Sequence, residues 1–276
     1  MSTRKDNSPL PPLPEVVRIA DAAGARIMAV YDTEFDVEHK HDESPLTAAD
    51  LASHEAICDG LESLTPDLPV LSEESTGIDY AERRCWRRYW LVDPLDGTRE
   101  FVKRNGEFTV NIALIDAGIP VLGVVGVPAL GRCYFAARGQ GAWRRTGDGP
   151  TSPIRTRRTS SGAFAVAGSR SHGSGEQERF FAALGANAEV VSMGSALKFC
   201  LVAEGRVDIY PRFGPTSEWD TAAAQCVVEE AGGLVTDTRF QPLRYNTRAD
   251  CLNPHFLATG DPDFNWAPYL SAVTAT

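Results

Sequence analysis

Two carboxylates and a hydroxyl stand within six residues of one another in Asp93-Pro94-Leu95-Asp96-Gly97-Thr98. The apolar residues in front of them, Tyr89 to Val92, predict a short buried strand that ends at Asp93. Pro94 has no backbone donor and stops a ladder, and Gly97 admits a conformation closed to residues with a Cβ. The expectation is a tight turn that crowds hard oxygen ligands together. Such a donor set suits Mg²⁺, which takes carboxylates, carbonyls and waters. An acidic surface turn would read the same way, so other carboxylates must converge on it. Leu71-Ser72-Glu73-Glu74-Ser75 repeats the device, a short apolar strand running into paired glutamates. Asp220 begins a helix whose apolar face is Ala223, Val227 and Ala231, where an N-cap aspartate is sufficient reason for it. Gly194-Ser195 opens another helix, either as its cap or as a phosphate site made of backbone N–H groups and the helix dipole.

The formal charge is −10, from 27 basic and 37 acidic residues. That excludes the basic footprint of a non-specific nucleic-acid binder. It leaves room for an anionic small substrate, because a metal inverts the local sign. The 276 residues can bury one large core or two smaller ones, and 43% hydrophobic with 23% charged content is that of a soluble globular protein. No apolar run approaches membrane-spanning length, so no integral membrane segment is expected. Met1 to Pro14 is polar and proline-rich, without a signal core, and reads as a flexible tail over residues 1–13. Cys58, Cys85, Cys133, Cys200, Cys226 and Cys251 are scattered without a CxxC pair. They read as free, mostly buried thiols of a reducing cytoplasm rather than zinc ligands or disulfides.

The elements that must position these groups follow from periodicity. Val16, Val17, Ala20, Ala23, Ile27 and Val30 predict a helix over Leu13–Tyr31, followed by a solvated loop at 32–45 carrying His39 and His41. Thr47 opens a second helix to about Leu64 with Leu51, Ile57, Leu61 and Leu64 on one face. Thr47-x-x-Asp50 fits a capping box, which is itself a structural reason for Asp50. His54-Glu55 begins like a zincin motif, but Cys58 stands where the second histidine belongs. Glu107 to Ile115 alternates, and Val121–Val127 and Cys133–Ala137 continue an antiparallel meander. Residues 138–162 are rich in Gly, Arg, Ser and Thr and place a boundary near 155, between an α+β part (14–155) and an α/β part (156–270). In the second part, strands at Phe164–Ala167, Val190–Met193, Val207–Tyr210, Leu234–Thr236 and Phe256–Thr259 alternate with helices at Glu176–Leu184, Ala196–Ala203 and from Trp219-Asp220-Thr221 to Gly232-Gly233. P-loop, GxGxxG and GxSxG motifs are missing.

Leu46-Thr47-Ala48-Ala49-Asp50, Leu71-Ser72-Glu73-Glu74-Ser75, Asp93-Pro94-Leu95-Asp96-Gly97-Thr98 and Glu218-Trp219-Asp220-Thr221-Ala222-Ala223 match, in order, the signatures of the inositol monophosphatase superfamily. The chain resembles it from about residue 14 to residue 260. Asn105 to Ala113 and Gly194 to Ala223 look closer to its 3′(2′),5′-bisphosphate nucleotidase branch, the CysQ type. The resemblance implies a layered αβαβα sandwich, α+β and then α/β, with the site between. It implies Mg²⁺ held by Glu73, Asp93, Asp96, the Leu95 carbonyl and Asp220, with Glu74 standing behind a ligand. Paired metals of that kind activate water, hold the phosphate and stabilise the leaving oxygen in an in-line displacement. Thr98, paired with Asp50, would orient or deprotonate the water, since a threonine hydroxyl alone is a poor base.

The implied reaction removes the 3′-phosphate of adenosine 3′,5′-bisphosphate to give AMP, with PAPS, cut to APS, as a further candidate, and with Li⁺ sensitivity. The second phosphate calls for donors and cations beside Gly97 and Thr98: Ser169 and His172 at a strand end, Gly194, Ser195 and Lys198 at a helix start, and Arg212 after a strand. Lys198 as a solvated helix lysine and Arg212 as an ion-pair partner are the plainer readings. The alternatives in function are an inositol or sugar monophosphate phosphatase, and a non-catalytic metal- or nucleotide-binding regulator. A water-activating Asp50–Thr98 pair argues against the regulator. A monomer or homodimer in the cytoplasm is expected, with peripheral membrane contact left open.

Overall fold

The computed structural model describes residues 9–33, 45–75, 77–160, 162–169 and 175–274. Two long helices, α1 (Leu13–Tyr31) and α2 (Pro45–Leu64), pack against each other. The buried stripe of α1 is Val16, Val17, Ala20, Ala23 and Ile27, as its spacing requires. Leu10, in front of it, packs on the same core. Helix α2 starts two residues earlier than expected, so Thr47 lies inside its first turn and is not its cap. Ile57 and Leu61 are buried but Leu51 faces solvent. His39 and His41 lie outside the described residues.

A seven-stranded sheet lies against these helices. Its strands β1 (Val70–Ser72), β2 (Arg88–Asp96), β3 (Thr109–Asp116), β4 (Ile119–Val127), β5 (Arg132–Ala137), β6 (Ala142–Thr146) and β7 (Ser152–Ile154) run across it in chain order. β1 joins β2 in parallel and the rest form an antiparallel meander. β6 and β7 occupy the Gly- and Arg-rich stretch read as a boundary. Their half-exposed residues carry little hydrophobic pattern, and pairing with β5 makes them strands.

A five-stranded sheet follows, with β8 (Ala165–Ser169), β9 (Glu189–Met193), β10 (Ile209–Arg212), β11 (Leu234–Asp237) and β12 (Phe256–Thr259) in the order β11-β12-β10-β8-β9. β9, β8 and β10 are parallel, and β12 is antiparallel to both its neighbours. Helices α6 (Leu197–Ala203) and α7 (Ala222–Glu230) lie between the two sheets, where their residues share one core with Leu91, Ala113, Ile115 and Val125. Helices α5 (Gly175–Leu184) and α8 (Ala267–Thr274) cover the far face through Phe180, Leu184 and Leu270, with Trp266 just ahead of α8. The layers are therefore αβαβα. Among the described residues no helix is long and apolar enough to cross a membrane.

One departure from the expected elements matters for the site. Strand β2 does not end at Asp93 but runs through Pro94 to Asp96, with a register shift between Asp93↔Asn111 and Asp96↔Thr109. Pro94 and Leu95 form a bulge, the place in a sheet where a proline is tolerated. Gly97 then turns at φ 96° into the short helix α4 (Thr98–Val102). Helix α3 (Tyr80–Arg83) is equally short.

Helix α7 lies so close to β4 that a Cβ on Gly123 would overlap the Ala223 carbonyl oxygen. Gly123→Ala must therefore push α7, and the Asp220 segment before it, off the sheet. A cost of about 1–3 kcal/mol is expected, read in urea unfolding as a lower midpoint at unchanged slope. A wild-type midpoint would show that this contact does not hold the helix.

Candidate active site

Asp93 and Asp96 come from the bulged end of β2, and Asp220 from the segment in front of α7. One carboxylate oxygen of each lies within 4.8 Å of the others. Each is held by donors. Asp93, fully buried, accepts the Leu95 N–H at 3.0 Å. Asp96 Oδ2 accepts the Ala196 N–H at 2.7 Å, the Thr109 hydroxyl at 3.2 Å and the Asn111 amide at 3.4 Å. Asp220 Oδ2 accepts the Ser217 N–H at 3.0 Å. Glu73 follows β1, where its N–H donates to the Val92 carbonyl at 3.1 Å. Its carboxyl meets Asp93 and feels Asp96 and Glu74.

Burial first, and the neighbouring carboxylates second, push these groups up. Asp220 rises to about 8 through desolvation, Asp96 and Glu73. Asp50 rises to about 8 through desolvation, Glu74 and Glu73. Asp93 stands well above the carboxylate range through burial, then Asp96, Asp220 and Glu73. Asp96 is raised by burial although Lys198 and its three donors oppose the rise. Charges crowded this way need protons or a cation. Asp50 Oδ1 and Asn111 Oδ1 are buried with no hydrogen-bond partner, and Leu95 has no register partner on β3. Converging carboxylates with spare oxygens around them fit a hard divalent cation.

Asp96 and Asp220 line a cleft of about 290 Å³ together with Gly97, Thr98, Gly194, Ser195, Lys198 and Arg212. Lys198 is not solvated. It is 6% exposed, donates to the Ser195 carbonyl at 2.8 Å and the Met193 carbonyl at 3.3 Å, and lies 5.2 Å from the Tyr210 ring centroid. Burial pulls its ammonium down to about 8, with Asp96 opposing. Arg212 makes no ion pair among the described residues. Its Nε donates to the Thr216 hydroxyl at 2.8 Å and its Nη2 to the Pro215 carbonyl at 3.0 Å.

Gly194 and Ser195 are committed to the framework. The Gly194 N–H donates to Glu107 Oε2 at 2.8 Å and the Ser195 hydroxyl to the Glu107 carbonyl at 2.7 Å. Ser195 sits at φ 42°, a region few residues with a Cβ adopt. It is not the cap of α6, which begins after Ala196 without a side-chain cap. The expected Asp50–Thr98 pair is not formed either. Helices α2 and α4, which carry the two residues, touch, but among the described residues no hydrogen bond joins the two side chains, and Asp50 is raised by burial and then by Glu74 and Glu73. Ser169 ends β8 in register with Met193, beside Gly194. His172 lies outside the described residues.

Sequence reasoning missed Glu107, Thr109 and Asn111 as organisers of the site. Their signal was present, since these polar residues alternate with Phe108, Val110 and Ile112, and Thr109 and Asn111 are buried. Tyr210 and Thr216, which line the cleft, carried no such signal.

The model of the inositol monophosphatase family matches residues 13–261. The chain is 51% identical over 246 residues to the 3′(2′),5′-bisphosphate nucleotidase CysQ of Escherichia coli K12, covering 88% of this chain and 98% of that one. Among solved structures, it resembles CysQ from Bacteroides thetaiotaomicron with a TM-score of 0.81 at 41% identity, covering 91% and 97% of the two chains. It resembles an inositol monophosphatase from Zymomonas mobilis with a TM-score of 0.72 at 27% identity, covering 99% of each.

The carboxylate crowding has a measurable sign. Asp50 and Asp220, raised from 3.8 to about 8, favour the fold while protonated. That contribution is complete below the unfolded value and is lost as pH rises through 8. The metal-free melting temperature is therefore expected to fall between pH 5 and about 9, and Mg²⁺ to reverse the fall. Asp220→Asn should raise the metal-free melting temperature at pH 8 and abolish the Mg²⁺ response. Calorimetry with and without chelator reads both. A metal-free melting temperature that climbs over this range would refute the crowding.

Proposed function

The chain belongs to the inositol monophosphatase family, and from that premise we propose that it is a 3′(2′),5′-bisphosphate nucleotidase, releasing the 3′-phosphate of adenosine 3′,5′-bisphosphate to leave AMP. The observation that carries this reading is the 51% identity over 246 residues to the CysQ of Escherichia coli, against 27% to the inositol monophosphatase of Zymomonas mobilis. The cleft supports it. An inositol monophosphate presents one dianion, whereas a bisphosphate offers two to a cleft that brings carboxylates and the cations Lys198 and Arg212 together.

Mg²⁺ would be held by Asp93, Asp96 and Asp220, with Glu73 and the Leu95 carbonyl, and when bound it neutralises phosphate charge and acidifies water. The rest falls to the chain. Three donors fix Asp96, so its free oxygen has one direction. Lys198 uses two of its three N–H groups on Ser195 and Met193 and keeps one for a phosphate oxygen. Arg212 uses two of five on its own loop and offers the others to the non-reacting phosphate. Thr98 would orient the attacking water, and Asp50 would take its proton only in its ionised form, which burial and the neighbouring Glu74 and Glu73 disfavour until a bound cation relieves the carboxylate crowding. Water oxygen bonds to phosphorus, the bond from phosphorus to the ribose 3′-oxygen breaks, and that oxygen leaves with a proton from solvent. All six cysteines are free, in keeping with a reducing cytoplasm.

Phosphate release from adenosine 3′,5′-bisphosphate and from inositol 1-phosphate, each with Mg²⁺, tests the reading, and a clear preference for the inositol ester would overturn it. Charge-assisted hydrogen bonds contribute about 1.5–3 kcal/mol each, so Arg212→Ala is expected to lower kcat/KM for the bisphosphate roughly ten- to hundredfold. The loss with inositol 1-phosphate should be much smaller. Equal losses would leave Arg212 a brace of its loop and remove the physical basis for the second phosphate.

A further inference from the structure

Asn253 lies on the segment between β11 and β12, outside the cleft lining, and is 8% exposed. Its N–H donates to the Thr216 carbonyl at 2.9 Å. Its side-chain nitrogen donates to the Ser217 carbonyl at 2.8 Å and the Thr221 hydroxyl at 3.0 Å, and reaches the Thr216 carbonyl at 3.3 Å. The irregular segment between β10 and α7 is thereby fastened at three residues. A bridge between Ser217 and Leu252, and the Glu218 N–H on the Cys251 carbonyl at 2.8 Å, extend the seam.

That segment orients two charges of the site. Thr216 holds Arg212 through its hydroxyl, and Ser217 holds Asp220 through its N–H. The two carbonyls on Asn253 thus belong to the residue that braces the cation and the residue that braces the carboxylate. The reverse orientation of the amide would set an oxygen against both carbonyls. In the orientation seen, Asn253 Oδ1 is buried with no partner. A buried amide whose oxygen is unused is kept for its donors, because an unmatched polar atom is costly. Among the described residues, the other braces on the segment's side chains from this region are the Asn246 N–H on Glu218 Oε2 at 2.8 Å and the Tyr245 hydroxyl paired with the Thr221 hydroxyl at 3.1 Å, and neither reaches Thr216 or Ser217.

We propose that Asn253 is a positioning residue that fixes the separation of Asp220 from Arg212 and so sets the preference for a substrate with two phosphates. The preference rests on the nucleotidase reading; the placement of Asp220 does not. Asn253→Ala removes the donors without adding charge and keeps the backbone bond to Thr216. In the folded variant, the Mg²⁺ dissociation constant, measured by calorimetry without substrate, is expected to rise about tenfold. The ratio of kcat/KM for adenosine 3′,5′-bisphosphate over inositol 1-phosphate is expected to fall by about the same factor. A merely structural asparagine would lower the melting temperature and move neither, and that result overturns the proposal. Thr216→Val cuts the Arg212 arm, together with the hydroxyl's 3.3 Å bond to the Gly214 carbonyl of the same loop, and spares the Asp220 arm, so the ratio should fall while Mg²⁺ affinity stays within about twofold. It decides the matter if Asn253→Ala does not fold, since an unchanged ratio there overturns the proposal. If the wild-type protein does not cleave the bisphosphate, the nucleotidase reading fails by itself. The Mg²⁺ titration of Asn253→Ala then still judges the placement of Asp220, and wild-type affinity overturns it.

Discussion

Three carboxylates with oxygens inside 4.8 Å of one another, in a buried setting, repel. At about 4 Å and an effective dielectric of about 20, each charged pair costs about 4 kcal/mol. Nothing in the apolar cores offsets that locally, so the framework around the carboxylates must be stiff. The β2–β3 ladder supplies the stiffness. Its bulge at Pro94 and Leu95 aims Asp93 and Asp96 into one place, and β3 returns Thr109 and Asn111 to hold Asp96. Lys198 is the neighbouring cation that moderates Asp96.

The site is a product of layering. Asp93 and Asp96 belong to the seven-stranded sheet, whereas Asp220, Lys198 and Arg212 belong to elements around the five-stranded one. A few hydrogen bonds close the gap. Glu107 takes the Gly194 N–H and the Ser195 hydroxyl, and Asp96 takes the Ala196 N–H. A Cβ at Gly194 would stand 2.6 Å from Glu100 Cγ, so the two halves of the cleft meet where only glycine fits. Helices α6 and α7 share one core with the first sheet, which fixes their starts, and the residues just before those starts line the cleft.

The carboxylates were legible because their chemistry is local: apolar residues, then acid, at a strand end. What depended on distant partners was not. Ser195 reads as a helix cap, but its hydroxyl binds a carbonyl 88 residues away. Thr47-x-x-Asp50 reads as a capping box, but the helix begins at Pro45 and Asp50 faces Glu74. Proline reads as the end of β2, but β3 continues alongside and absorbs it as a bulge. Strands β6 and β7 were hidden because half-exposed residues show no period, and pairing alone defines them. Helix α8 was missed for a related reason: its buried Leu270 and Val273 gain meaning only against α5.

The charges in the cleft impose an order on its guests. Asp50, Glu73, Asp93, Asp96 and Asp220 crowd a cleft whose described basic lining is Arg99, Lys198 and Arg212, in a chain whose formal charge is −10. A phosphate dianion alone meets a surplus of carboxylate, and a divalent cation alone meets Lys198 and Arg212 in the same cleft. Each guest removes the charge that opposes the other, because a cation cancels carboxylates and a phosphate occupies the two basic groups. Lys198 makes the coupling sharper. Its burial weakens the ammonium while Asp96, Glu100 and Asp220 support it, so a phosphate oxygen strengthens the cation that binds it. A buried lysine suits this role better than an arginine, whose charge does not respond to its surroundings.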